Sequence, residues 1–417
     1  MPQPLFVSAL SRRAAILVFL TFAFSYFLSA LIRAITATLS PALTQEFALN
    51  AGDLGLLAGG YFLGFAANQL PLGTWLDRYG PRKVILLLLS VAALSCVAFS
   101  VATSFSVLLA ARILSGVGVS ACLMAPLTGY RRWFDSTTQL RANSWMLMTG
   151  SLGMVASTLP VQWLSPIIGW RALFLGLAAL VLVAMALIAW QVPRWDLTPA
   201  HDSKTKSAQG SYRQVWEHPY FRKMVPIGFF CYGGLIAMQT LWVVPWMIKV
   251  GGYSSWQAAS GLFWINVAML CTFWTWGMLN PWLTHRGFHA EQLIAWGLPS
   301  SFVVIAIIIV AGDALTTASA AIWALYCVSC TFVTLSQPAI GMAFPPDLAG
   351  RALSAYNLVI FAGVFVVQWG IGLGVDAFRA WGWSEIASFQ VAMAMFLLCC
   401  IGAYVYFLSA KSHNQAI

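Results

Sequence analysis

Two arginines, Arg33 and Arg112, stand inside long apolar runs of this chain. A charge at membrane depth costs about 2.5–3.5 kcal/mol on insertion scales, so such a residue is expected to serve a function. Arg33 belongs to a series, Ser25, Ser29, Arg33, Thr36 and Ser40, at steps of four, four, three and four. That spacing puts all five on one face of a helix. An otherwise apolar helix turns such a face to water or protein, not to lipid. The Arg33 guanidinium can hold a carboxylate or phosphate through two parallel N–H···O bonds. It can equally snorkel to an interface or bond backbone carbonyls, and the sequence leaves both readings open.

Other polar side chains interrupt the apolar runs. Tyr26, Gln69, Gln239, Trp242, Asn266, Gln337 and Asn357 join Ser29, Arg33 and Arg112 as candidate substrate contacts. Buried amides either bond between helices or touch a solute. Tyr232, Trp246 and Trp323 extend an aromatic stripe, which is more often packing than binding. Acid–base and metal chemistry are poorly provided for. His201, His218, His285, His289 and His413, with every Asp and Glu, fall in loops or at helix ends. No membrane enzyme, cofactor or metal site is expected. Cys327 and Cys330 have redox spacing but lie in an apolar helix with no nearby acid or His, and read as inert.

The elements that hold these residues follow from composition. Of 417 residues, 60% are apolar and 8% charged, against about 25% charged in soluble domains. Neither a soluble globule nor a disordered chain has that balance. The net charge of +10 is spread in short clusters between apolar runs, so it does not make a nucleic-acid patch. Roughly 20 apolar residues cross the hydrocarbon core. That ruler gives twelve spans, near 14–39, 54–75, 84–103, 107–128, 143–163, 172–191, 223–248, 258–280, 292–311, 318–343, 354–375 and 387–410. The cuts fall at Ser40-Pro41, Arg78-Tyr79-Gly80-Pro81, Gly169-Trp170-Arg171, Gly251-Gly252 and Pro345-Pro346. A hydrophilic stretch divides the spans six and six.

The domains are therefore expected at 1–195, an N-terminal six-helix bundle, and 223–417, a C-terminal one, joined by a cytoplasmic loop over 196–222. A repeat supports the duplication: Arg141-Ala142-Asn143-Ser144 recurs as Arg351-Ala352-Leu353-Ser354, and Gly153 matches Gly363 at the same offset. Basic residues number seventeen in the segments assigned to the inner side and three in the outer ones, Arg171, Lys249 and Arg379. That bias puts both termini in the cytoplasm. Ser11-Arg12-Arg13 precedes a run long enough to span, and reads as an anchor rather than a twin-arginine signal.

Between the second and third spans stands Gly73-Thr74-Trp75-Leu76-Asp77-Arg78-Tyr79-Gly80-Pro81-Arg82-Lys83. This stretch resembles the inner-loop signature of the major facilitator superfamily, except that Pro81 replaces the family's frequent Arg. Arg112-Ile113-Leu114-Ser115-Gly116-Val117-Gly118 and Gly169-Trp170-Arg171 resemble two further family motifs. The second half has a degraded echo of the loop, Leu283-Thr284-His285-Arg286-Gly287. Helix 5 lacks the Gly-Pro pair of drug-exporting antiporters, since Pro follows neither Gly150 nor Gly153.

The resemblance implies an all-α membrane protein of twelve transmembrane helices in two six-helix bundles, with helices 1, 4, 7 and 10 lining the cavity. It implies that Gly73, Asp77, Arg78, Gly80, Arg82 and Lys83 gate the cycle, with the Asp77 carboxylate held near the start of helix 11. Arg112 then reads first as a structural member of its motif. The expected function is alternating-access transport of a small organic solute, leaning to an anion because of Arg33. Proton coupling, a monomeric state surrounded by lipid, no nucleic-acid partner and a bacterial inner (plasma) membrane complete the expectation. Export of amphipathic compounds is the alternative within transport, and a non-transporting sensor or assembly factor the alternative outside it.

Overall fold

The computed structural model describes residues 10–194 and 212–410. Most of the expected 196–222 loop, with His201, Lys204 and Lys206, and the tail with Lys411 and His413 lie outside the described residues. Within them the chain is helical, with no strand. Nine stretches are long and apolar enough to cross a membrane. They are α1 (Arg12–Phe47), α4 (Pro81–Ser100), α5 (Phe105–Trp133), α7 (Leu159–Gln191), α8 (Pro219–Lys249), α9 (Ser255–Asn280), α10 (Ala290–Met342), α11 (Leu348–Ala380) and α12 (Glu385–Ser409). Between them lie the shorter α2 (Ala51–Ala67), its continuation α3 (Gln69–Tyr79), and α6 (Ser136–Ala156).

Helix ends mostly follow local chemistry. Gly80 has φ 78° and ψ 159°, a conformation open to glycine and costly for other residues. Pro81 then starts α4 where its missing N–H costs nothing. Gly169 adopts nearly the same angles, φ 77° and ψ 156°, and breaks α7. One expected cut is absent: α1 runs straight through Pro41. Proline there cannot donate to the Ala37 carbonyl four residues back. The Ser40 hydroxyl takes that carbonyl instead, at 2.7 Å, so the helix continues.

The two ends of the molecule are defined by contacts. At the near end, Leu10 N donates to Trp133 O, Tyr212 Oη reaches Leu70 O, and Lys223 pairs with Glu291. At the far end, Glu46 pairs with Arg171, Lys249 and Arg379 converge on Glu385, and Asp376 meets the start of α2. The basic clusters of Arg12 to Arg13 and Arg78 to Lys83 belong to the near end.

Glycine faces set the closest helix approaches. On α2, Gly55 and Gly59 lie against Gln368 and Phe365 of α11, while Gly60 and Gly64 lie against Leu109 and Ile113 of α5. The repeat is visible in the same terms. A Cβ on Gly153 would fall 2.3 Å from Phe27 O, and one on Gly363 would fall 2.1 Å from Phe229 O. So α6 seats on α1 as α11 seats on α8. The tightest approach is Gly116, where a Cβ would lie 1.9 Å from the Tyr61 carbonyl oxygen. A backbone carbonyl cannot swing aside, so Gly116→Ala is expected to cost at least the about 1–3 kcal/mol of overpacking. The check is the melting temperature of the purified protein, with Gly176→Ala as control, because nothing lies within 4 Å there.

Candidate solute-binding site

Arg33 lies midway along α1 and is only partly exposed. It has no ion-pair partner among the described residues, and its buried Nε makes no hydrogen bond. Tyr26, two turns nearer the chain start, and Tyr232 of α8 share its electrostatic neighbourhood. Behind Tyr232 the polar groups continue. Its hydroxyl is 3.4 Å from Gln337 Oε1, a long contact, and Gln337 Nε2 donates to Asn357 Oδ1 at 2.7 Å. Tyr232, Gln337 and Asn357 thus join α8, α10 and α11 in one polar cluster, with the uncompensated Arg33 of α1 in the electrostatic neighbourhood of its Tyr232 end.

The path of α8 explains how Tyr232 reaches that cluster. Ile227–Tyr232 and Met238–Trp242 are π-helical, and such segments re-aim side chains within a helix and recur at functional sites. Tyr232 closes the first of them. In α10 a 3-10 segment, Thr331–Leu335, ends two residues before Gln337.

Exposure is asymmetric along the pathway. Tyr26, Arg33, Tyr232, Gln337 and Asn357 are all half-buried. On the far side of them, Thr36, Ser40, Gln239, Trp242 and Gln368 are buried. Exposure of the polar side chains thus falls from the cluster toward the far end. Gln239 Nε2 bonds Asn266 Oδ1 at 2.7 Å, and Asn266 Nδ2 contacts Met154 O at 3.3 Å. That chain of amides runs from α8 through α9 to α6.

Several sequence candidates lie elsewhere. Gln69 is buried and its amide turns back toward Phe65 O, at 3.3 Å. Trp242 is buried, donates from Nε1 to Gln368 O and packs edge-on against Phe389. Trp246 and Trp323 stack edge-to-face in the same core. Ser29 is buried beside the cluster. Arg112 is fully buried, its Nη1 on Ile32 O at 2.7 Å and Nη2 on Arg33 O at 2.9 Å. Its guanidinium also sits 4.9 Å from the Tyr61 ring centre. So Arg112 grips the backbone of Arg33 itself and positions that residue. Tyr61, which no local sequence signal marks, completes this support.

At the near end Asp77 and Arg78 are exposed. Arg82 donates to the Ala189 carbonyl near the end of α7, a favourable place for a cation. No described acceptor or donor engages the Asp77 carboxylate.

A family model, Major Facilitator Superfamily, matches residues 22–368. The chain belongs to that superfamily. Its solved neighbours include a bacterial homologue of the human lysosomal transporter Spinster, with TM-score 0.77 at 18% identity over 96% of this chain and 97% of that one. The D-xylose–proton symporter gives TM-score 0.77 at 12% identity, over 96% and 98%. These likenesses show the fold. Among curated relatives, the "Probable sulfoacetate transporter SauU" of Cupriavidus necator is 24% identical over 56% of this chain and 57% of its own length. The 4-hydroxybenzoate transporter PcaK of Pseudomonas aeruginosa is 29% identical over 39% and 36%. The gallate transporter of Pseudomonas putida is 24% identical over 38% and 36%. The matched segments thus span about half or less of those relatives. As a member of the superfamily, the protein is an integral, multi-pass membrane protein.

Proposed function

We propose that the protein carries a small organic anion across a bacterial inner membrane by alternating access, with Arg33 as the anion contact. The observation that carries this is a partly exposed guanidinium at mid-helix, without an ion pair, in the electrostatic neighbourhood of Tyr232, which leads on to Gln337 and Asn357. A carboxylate or sulfonate fits the guanidinium fork, and the tyrosines and amides supply apolar surface and orientation. Relatives named for sulfoacetate, 4-hydroxybenzoate and gallate support an anion.

The nine apolar stretches become twelve spans in this reading. The Gly169 break divides α7 and lets its first part complete α6; Gly312–Ala318 divides α10; and α2 with α3 makes one more. Residues 1–195 and 223–417 form the two moving bundles, with 196–222 between them. The basic near end faces the cytoplasm, and with the far-side residues buried the state in this reading is open inward. Purified protein in liposomes tests the function directly. Saturable uptake of labelled organic carboxylates or sulfonates, but not of neutral analogues, is expected. Uptake of the neutral analogue at an equal rate would contradict the anion reading. An imposed pH gradient then reads the proton coupling that the family implies.

Gly73, Asp77, Arg78, Gly80, Arg82 and Lys83 form the cytoplasmic gate of this scheme. The free Asp77 carboxylate is available to cap the start of α11 once the near end closes. Asp77→Asn is expected to slow turnover about tenfold, corresponding to about 1.4 kcal/mol, at unchanged expression. Initial uptake rates normalised to protein in the vesicle provide the measurement, and wild-type flux would remove Asp77 from the gate.

A further inference from the structure

The start of α2 is capped from two sides. Its own Asn50 side chain takes the N–H of Asp53, and the Asp53 carboxylate returns to the N–H of Asn50. The Leu54 N–H goes to Asn50 O. Of the first-turn donors that a helix leaves without intrahelical partners, this box leaves those of Ala51 and Gly52. Both are taken by one carboxylate from the other half of the molecule. Asp376, near the far end of α11, accepts from Gly52 N at 2.6 Å and from Ala51 N at 3.1 Å.

The local sequence makes room for this contact. A Cβ on Gly52 would fall 2.8 Å from Asp376 Oδ2, and one on Gly372 would fall 2.3 Å from Ala51 O. The two bonds are charge-assisted, and the carboxylate sits where the helix dipole favours a negative charge. Asp77 stands at the opposite end of the same antiparallel helix pair, exposed.

We infer that Asp376 is a far-end latch, which holds the far end shut while the near end is open and releases the Ala51 and Gly52 donors to water when the far end opens. With the Asp77 role proposed above, the two helices would exchange carboxylate caps, one at each end, in alternating states. The latch itself rests only on the reading that the two halves rock.

Double electron–electron resonance on the full chain in nanodiscs tests it, with spin labels at Thr103→Cys and Ala314→Cys, both exposed at the far end, and Cys271 and Cys399 replaced by serine. The parent protein is expected to give mainly the short distance. Asp376→Ala should raise the ratio of long to short populations about tenfold. Ala51→Pro approaches the same contact from the donor side. Proline is tolerated in the first turn, Asn50 before it is already extended, and one latch bond is removed. It should move the ratio the same way by a smaller factor, which also guards against misfolding of a single variant. Unchanged distance distributions in both variants would overturn the latch. No solute enters this readout, so it stands or falls separately from the anion assignment.

Discussion

Arg33→Ala should lose about 100-fold or more of anion uptake in proteoliposomes while the protein melts no lower than wild type. The first part follows from two parallel hydrogen bonds to a charged group, each worth about 1.5–3 kcal/mol; a sum near 3 kcal/mol is about two decades in affinity. The second follows from what the guanidinium lacks. It has no ion pair, and its Nε is buried without a partner, so the folded protein gains little from it. A side chain kept at a cost to stability and needed for transport is the signature of a binding group. Arg33→Lys keeps the charge but loses the planar fork, and an intermediate loss of about tenfold is expected. Uptake rates and melting curves on the same preparations check both halves.

Arg112→Ala should do the reverse, with a large loss of stability. This side chain is fully buried, with charge-assisted bonds to Ile32 O and Arg33 O and the Tyr61 ring beneath it. Truncation removes two bonds of about 1.5–3 kcal/mol each and a cation–π contact of about 0.5–2 kcal/mol. It also opens a void among close-packed helices. Relief from burying a charge offsets part of this, leaving a net loss of about 2–4 kcal/mol, within the usual range for emptying a core site. Thermal unfolding in detergent is the measurement. Arg112→Lys should recover little, because an ammonium cannot reach both carbonyls in the guanidinium geometry. A pair of variants with opposite stability effects separates the carrier of the charge from the residue that holds its helix.

Much of this was legible in the sequence because its causes are local. The breaks at Gly80-Pro81 and Gly169 depend on a glycine at positive φ and a proline in a first turn. The small residues Gly55, Gly59, Gly60 and Gly64 of α2 are legible in the sequence, but their partners on α11 and α5 are long-range contacts that are not. The hydroxyls of the stripe around Arg33 are buried. Ser25 bonds Thr21 O and Ser40 bonds Ala37 O, so these hydroxyls satisfy themselves within the helix. The helix through Pro41 was missed for the same reason. The π-helical turns of α8 have no residue signature, so the position of Tyr232 beside Gln337 could not be read from the sequence. Arg112 could be assigned to a motif, but its grip on the Arg33 carbonyl is a contact across 79 residues. Asp376 looked like an ordinary helix end until α2 was beside it.

The most direct test of Arg33 as the anion contact is equilibrium binding of a labelled substrate anion to purified protein. Wild type and Arg33→Gln should be titrated side by side at low and high salt. Saturable binding that weakens as chloride competes is expected in the wild type, and about 100-fold weaker binding in the variant. Equal affinity in the two proteins, at either salt concentration, would contradict it.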